Sequence, residues 1–186
     1  VNQTPSATPV WPVLYYGVES EVTLDNVVGA PLTTYNIDFT DGTNNEGFVS
    51  EGIKVTATGN IAGTITISNA NCSTDIPFSE LMADGYVWSG KVSSEWENTG
   101  NWYSRAIPTS EHDAIIRTAS RLPIISGNAE AKSVKIESGE LTISGSNTLD
   151  VYGDWANSVG NAGFTAEQST VAFKNSAGIS GSTTFN

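Results

Sequence analysis

Short runs of Val, Ile, Thr and aromatic residues recur along the chain between Gly, Asn, Ser and Asp punctuation, and helical periodicity is almost absent. The pattern predicts an all-β protein. In the first half, SEVTL (20–24), TYNIDF (34–39), GIKVTAT (52–58) and GTITIS (63–68) alternate apolar and polar positions, so each can bury one face. Candidate strands at 13–16 and 75–78 complete an immunoglobulin-like β-sandwich over 13–85, without the Cys and Trp signature of antibody domains. One helical turn is expected, in SELMADG (79–85), where Ser79 could cap the start and Gly85 the end. The opening VNQTPSATPVWP, rich in Pro, Ser and Thr, reads as a linker or frayed terminus over 1–12.

From Ala114 the texture changes to AIIR, PIIS, SVKI, LTI, LDVY, FTA, TVAF, GIS and TTF, whose starts lie mostly seven to ten residues apart. In SVKI, LTI, LDV and TVAF the apolar residues sit at i and i+2, with corners made by Ser-Gly, Gly-Ser, Asn and Gly. A parallel β-solenoid has this need, because each short strand sends one or two side chains inward before the chain turns. The same strands could instead pair as antiparallel hairpins, which would make the molecule two β-sandwiches.

Charge narrows the set of partners. Lys and Arg number 8 against 20 Asp and Glu, and residues 1–85 carry Lys54 alone among ten acids. Neutralising a polyanion takes clustered Lys and Arg, so nucleic acid and anionic membrane surfaces are poor partners. No apolar run approaches the roughly 20 residues that span a bilayer, so membrane insertion is not expected, and the N-terminus lacks the features of a signal peptide. Cys72 is the single cysteine, so no internal disulfide forms, and a structural thiol is expected. A nucleophilic thiol would need a base, and the single histidine, His112, lies forty residues away.

Candidate chemistry is sparse. WSGKVSSEWENTGNW (88–102) holds three of the five tryptophans. Exposed, Trp88, Trp96, Trp102 and Tyr103 could stack on sugar rings, with Asn98 and Asn101 hydrogen-bonding around them. Buried, the three indoles would plug the open first coil of a solenoid, and the two asparagines would satisfy turn backbone; this is the favoured reading. In DFTDGTNNEG (38–47), Asp38, Asp41, Asn44 and Glu46 offer oxygen donors suited to calcium, although the spacing is that of ordinary turns and not of an EF-hand loop. Asp150 and Asp154 in LDVYGDWAN form a second, weaker candidate. Ser110, His112 and Asp113 are too close in sequence to hold a linear relay. A polysaccharide lyase would need a basic residue beside acids, and Arg117, Arg121, Lys132 and Lys135 sit in no motif. No catalytic residue is assigned and no cofactor is expected.

The order of landmarks in the second half is informative. Trp88 and Gly90 are followed by WENTGNW, with Trp96, Asn98, Asn101 and Trp102, then by Pro108, Asp113 before AII, and Pro123 before II. The repeats GELTISGSNTLDVYGDWANSVG and FTAEQSTVAFKNS come after them. This segment resembles a recurrent part of large secreted and surface proteins of Bacteroidetes, over about residues 86–186. The resemblance favours the solenoid and implies an adhesin or envelope component, secreted or held at the cell surface and exported by the type IX route. The first half more weakly resembles the immunoglobulin-like modules such proteins carry in tandem.

The expectation is therefore a non-enzymatic structural or adhesive module, with a carbohydrate-binding module or a polysaccharide-active enzyme fragment as alternatives. Partners would be a surface glycan or a host or cell-envelope protein. The stop at GSTTFN reads as an incoming strand, so the module over 86–186 is expected to be cut short and to self-associate through the strand edge in 163–186.

Overall fold

A computed structural model describes residues 3–29 and 31–185. Among them the chain is all-β, with eighteen strands and three short 3-10 turns. No helix among the described residues is long and apolar enough to cross a membrane. The chain divides into two compact units, Val1–Ala83 and Asp84–Asn186.

The first unit contains β1 (Ser6–Val10), β2 (Glu19–Val28), β3 (Thr34–Phe39), β4 (Asn44–Phe48), β5 (Ile53–Thr56), β6 (Ile61–Ser68) and β7 (Ser73–Glu80). They form two antiparallel sheets, ordered β1-β2-β5 and β4-β3-β6-β7. The alternation seen in the sequence selects the buried faces. Val22, Ile53 and Val55 from one sheet join Tyr35, Ile37, Ile65 and Ile67 from the other in a single core.

Three expectations for this unit are corrected. Residues 6–10 of the presumed tether are strand β1, held against β2 with a register shift between Ser6 and Thr8. Residues 1 and 2 of that tether lie outside the described residues. Ala7 and Trp11 pack on the core, and Pro9 is tolerated because β1 is an edge strand with one side free of ladder bonds. The helical turn at 79–85 does not form, because Ala62↔Ser79 and Ile61↔Glu80 extend the β6–β7 ladder. Met82 then bridges Leu14 and donates its backbone N–H to Asn60 Oδ1 at 2.9 Å. That bridge is all that forms of the strand expected at 13–16.

The second unit contains β8 (Gly85–Val87), β9 (Asp113–Ile116), β10 (Ile124–Ile125), β11 (Ala129–Ala131), β12 (Val134–Ile136) and β13 (Leu141–Ile143). It continues with β14 (Thr148–Val151), β15 (Trp155–Asn157), β16 (Phe164–Thr165), β17 (Thr170–Phe173) and β18 (Ile179–Gly181). These build a parallel β-solenoid of about three turns, with three sheets ordered β8-β9-β12-β15-β18, β10-β13-β16 and β11-β14-β17. Every ladder between its described strands is parallel, which excludes the antiparallel sandwich for this half.

Successive coils stack like residues. Ala114, Val134, Trp155 and Ile179 follow one another along one sheet, and Ile116, Ile136 and Asn157 run beside the first three. The inward members share one buried core. A single short strand buries too little to be stable, so the stack is what makes each coil persist. The strand expected at TTF is absent, because Thr183 and Phe185 are drawn onto the last coil instead, as described below.

Candidate functional site

The tryptophan-rich segment occupies the layer that precedes the first complete coil. Trp88 follows β8 directly, and its backbone N–H reaches Ile115 O at 2.9 Å. Residues 94–96 run beside β10, with Ile124 N–H donating to Ser94 O at 2.7 Å and Trp96 N–H to Ile124 O at 3.0 Å. This path brings the rings inward. Trp88, Trp96 and Trp102 are each 1 % exposed and belong to the solenoid core. Trp102 meets Trp88 edge-on at 5.2 Å and Trp96 at 4.7 Å, with interplanar angles of 87° and 84°.

A sugar platform needs open ring faces, and these three indoles have none. The glycan reading of Trp88, Trp96 and Trp102 is therefore corrected: they are a core plug. Tyr103 is half-buried with Lys91 Nζ over its ring at 4.7 Å, so it offers no second open ring beside them.

The two asparagines of the motif hold the plug in place. Asn98 Oδ1 accepts from Gly100 N–H at 2.9 Å and caps the 3-10 turn Thr99–Asn101. Asn101, fully buried, accepts from the backbone of Val92 (3.0 Å) and Ser93 (2.8 Å) and donates to Ser93 Oγ (2.9 Å) and Glu95 O (2.8 Å). Two indole N–H groups close the layer: Trp102 Nε1 donates to Trp96 O at 2.9 Å and Trp88 Nε1 to Arg121 O at 2.7 Å. Gly90 belongs to the landmark for a steric reason. Its φ is +56°, and a Cβ there would stand 2.2 Å from Arg121 O.

A second aromatic group at the other end of the solenoid was missed by sequence reasoning. Trp155 packs edge-on against Phe164 at 4.8 Å and Phe185 at 5.3 Å, and Phe185 also meets Phe173 at 5.9 Å. Trp155 Nε1 donates to Thr183 Oγ1, while Asn157 Nδ2 reaches Gly160 O, Ser182 O and Thr183 Oγ1. Each end of the stack thus has a buried Asn, Asn101 or Asn157, fastening a covering segment. The sequence carries no shared spacing for the two groups, since Asn101 directly precedes Trp102 whereas Asn157 follows Trp155 by two residues.

The other candidates are engaged separately. Asp38 and Asn44 face each other across the β3–β4 hairpin, Glu46 faces Asn36, and Asp41 lies in the connecting turn. Asp41 accepts from the Thr43 hydroxyl at 2.6 Å and from its backbone N–H at 2.9 Å, and these bonds hold its carboxyl below the usual carboxylate range. Among the described residues no three His, Cys, Asp or Glu side chains are grouped to hold a metal. Asp150 pairs with Lys174 at 3.0 Å, and Asp154 Oδ1 accepts from Gly178 N–H at 2.8 Å. His112 stacks on Tyr86 at 4.3 Å with Nδ1 2.9 Å from Thr109 Oγ1, and Asp113 pairs with Lys135 at 2.5 Å, so Ser110, His112 and Asp113 form no relay. Arg117 pairs with Glu137 at 2.7 Å, Lys132 with Asp84 at 3.3 Å, and Arg121 donates to Gly90 O and Lys91 O. Cys72, half-buried, closes the β6–β7 turn with Asn69.

A family model described as a domain of unknown function (DUF8693) matches residues 87–184. That range opens one residue before Trp88 and ends one residue before Phe185. No curated protein and no solved structure matches the chain.

Proposed function

We propose, starting from the fact that the chain belongs to the DUF8693 family, that this is a non-enzymatic structural or adhesive module of a secreted or cell-surface bacterial protein. The observation that carries the reading is how the second unit uses its polar chemistry. Its ion pairs join one coil to the next, and its indoles and buried asparagines close its two ends. Of the bases a lyase would draw on, Arg117, Lys132 and Lys135 are held in such ion pairs and Arg121 donates to the carbonyls of Gly90 and Lys91. A stack of short coils with filled ends is suited to stiffness and display, since each coil rests only on its neighbours. In the first unit, the strand orders β1-β2-β5 and β4-β3-β6-β7 around one core support the finer reading as an immunoglobulin-like sandwich. An acidic chain with a single cysteine suits an exposed protein that stays soluble and needs no disulfide.

The test is labelling of intact cells that carry the gene, with an antibody against residues 84–186. Signal without permeabilisation is the expected result. Signal obtained only after lysis overturns the surface reading.

A further inference from the structure

The outward face of the second sheet carries a groove whose side chains the core does not use. Alternation sends Tyr35, Ile37, Ile65 and Ile67 into the core and leaves Thr34 and Asn36 of β3, Glu46 and Phe48 of β4, and Thr66 and Ser68 of β6 on the other side. The register arranges them in two rows, Phe48–Thr34–Ser68 and Glu46–Asn36–Thr66. Strands lie about 4.8 Å apart and like-facing residues about 7 Å apart along a strand, so the patch measures about 10 by 7 Å. These six residues line a groove of about 410 Å³.

Its chemistry is specific. Phe48 is 57 % exposed and, among the described residues, has no ring neighbour, whereas Phe39, Phe78, Phe164, Phe173 and Phe185 each pack on another ring. Asn36 gives its Nδ2 to Asp38 at 2.9 Å, and its Oδ1 is buried without a hydrogen-bond partner, so it offers nothing to a ligand. Thr66 donates to Asp75 at 2.8 Å and keeps its lone pairs. The side chains of Thr34, Ser68 and Glu46 have no hydrogen bond or ion pair among the described residues. No basic residue lines the groove, and Lys54 of this unit is paired with Glu19 at 3.4 Å.

We propose that this groove binds a neutral pyranose oligosaccharide, with Phe48 as the stacking ring. The phenyl face takes the C–H face of a sugar ring, while the Thr34 and Ser68 hydroxyls donate and accept at its rim. The Glu46 carboxylate and the lone pairs of the Thr66 hydroxyl accept from sugar hydroxyls. A uronic acid, sulfated sugar or phosphate is disfavoured, because Glu46, Asp38 and Asp75 border the groove with no cation among the lining residues. The groove's affinity is a property of the chain in solution and does not depend on where the protein resides, so its failure and that of the surface reading are separable.

The experiment is a ¹H–¹⁵N titration of the full chain with maltotriose, cellotriose, xylotriose and chitotriose, and with trigalacturonate as the anionic comparison. At least one neutral trisaccharide is expected to shift the amides of Thr34, Gly47, Phe48 and Ser68, with a dissociation constant on the order of 1 mM. Trigalacturonate leaves them in place. Phe48→Ala weakens binding about 2- to 10-fold, the share a stacked aromatic contributes, without lowering the melting temperature, because the ring is exposed. Phe48→Trp tightens it. The proposal is overturned if no neutral sugar moves these amides at about 10 mM, ten times that dissociation constant, if trigalacturonate binds best, or if Phe48→Ala keeps full affinity. Shifts that follow protein concentration instead of sugar assign the face to a second copy and overturn it equally.

Discussion

Asn101 shows how much of the solenoid's first layer rests on one side chain. Its amide makes four hydrogen bonds in full burial, fixing the path from Val92 to Glu95 that brings Trp96 inward. Asn101→Asp keeps the shape, loses both Nδ2–H donors and sets a buried negative charge against Glu95 O and Ser93 Oγ. Leaving buried groups unsatisfied costs about 1–3 kcal/mol, and more when a charge is involved, so this variant is expected to lose about 3 kcal/mol in chemical denaturation. Asn98→Ala removes only a half-exposed cap and costs about 1 kcal/mol; equal losses would contradict this division of roles. Asp41 supplies a pH-dependent case. The Thr43 hydroxyl is the larger cause of its lowered pKa and the Thr43 backbone N–H the next. The stability it contributes is present above its unfolded value, near 3.8, and is lost as pH falls through the lower folded value. Thr43→Val removes the hydroxyl donor, so the Asp41 carboxyl should titrate nearer its ordinary value in an NMR pH series, and the variant has less stability to lose on acidification. An unmoved Asp41 titration would count against the hydroxyl as the main cause.

At the level of strands, the coils are tied together by charge as well as by core. The pair Lys135–Asp113 joins β12 to β9, with the Asp113 side chain only 15 % exposed and its Oδ1 without a partner, whereas in Lys132–Asp84 the carboxylate is 66 % exposed. Removing the first cation strands a nearly buried carboxylate, so Lys135→Ala is expected to cost about 1–3 kcal/mol. Lys132→Ala belongs in the range of about 0–1 kcal/mol for exposed pairs. Urea unfolding of both variants checks the order, and the reverse order would place the weight elsewhere. The strands themselves were legible where alternation or β-branched runs mark them: TYNIDF is β3 residue for residue, and SVKI, LTI and LDV contain β12, β13 and most of β14. Elements that depend on a neighbour were not legible. AEA of β11 and WAN of β15 are too short and mixed to signal, and they exist because Leu149 to Val151 and Val134 to Ile136 offer finished edges. Pro9 hid β1 by resembling a linker, and NNEGF hid β4 because turn residues there also serve as an edge strand. The plug at Trp88, Trp96 and Trp102 followed from residue type and order, but Phe48 gave no signal, because exposure of a ring is decided by register.

Across the described residues, the surface that bears most on association is the coil of β16, β17 and β18. β16, β17 and β18 are each the final strand of their sheet among the described residues, so three backbone edges lie at one end of the stack. Phe185 and Thr183 cover the aromatic core there, yet they form no strand and leave those edges without ladder partners. Protein edges are commonly guarded by charge, proline or a bulge. Here β18 reads Ile-Ser-Gly, and Ile179 is 56 % exposed. A second copy can satisfy both the backbone groups and Ile179 by pairing its own edge to this one, and we expect association to rise with protein concentration. Sedimentation velocity over a range of concentrations should show a dimer or larger species. Ile179→Lys, which places a charge on the edge without entering the core, should return the protein to monomer with its melting temperature unchanged. A clean monomer at high concentration would mean that the covering segment shields the end by itself; association that survives Ile179→Lys would place the contact on another face.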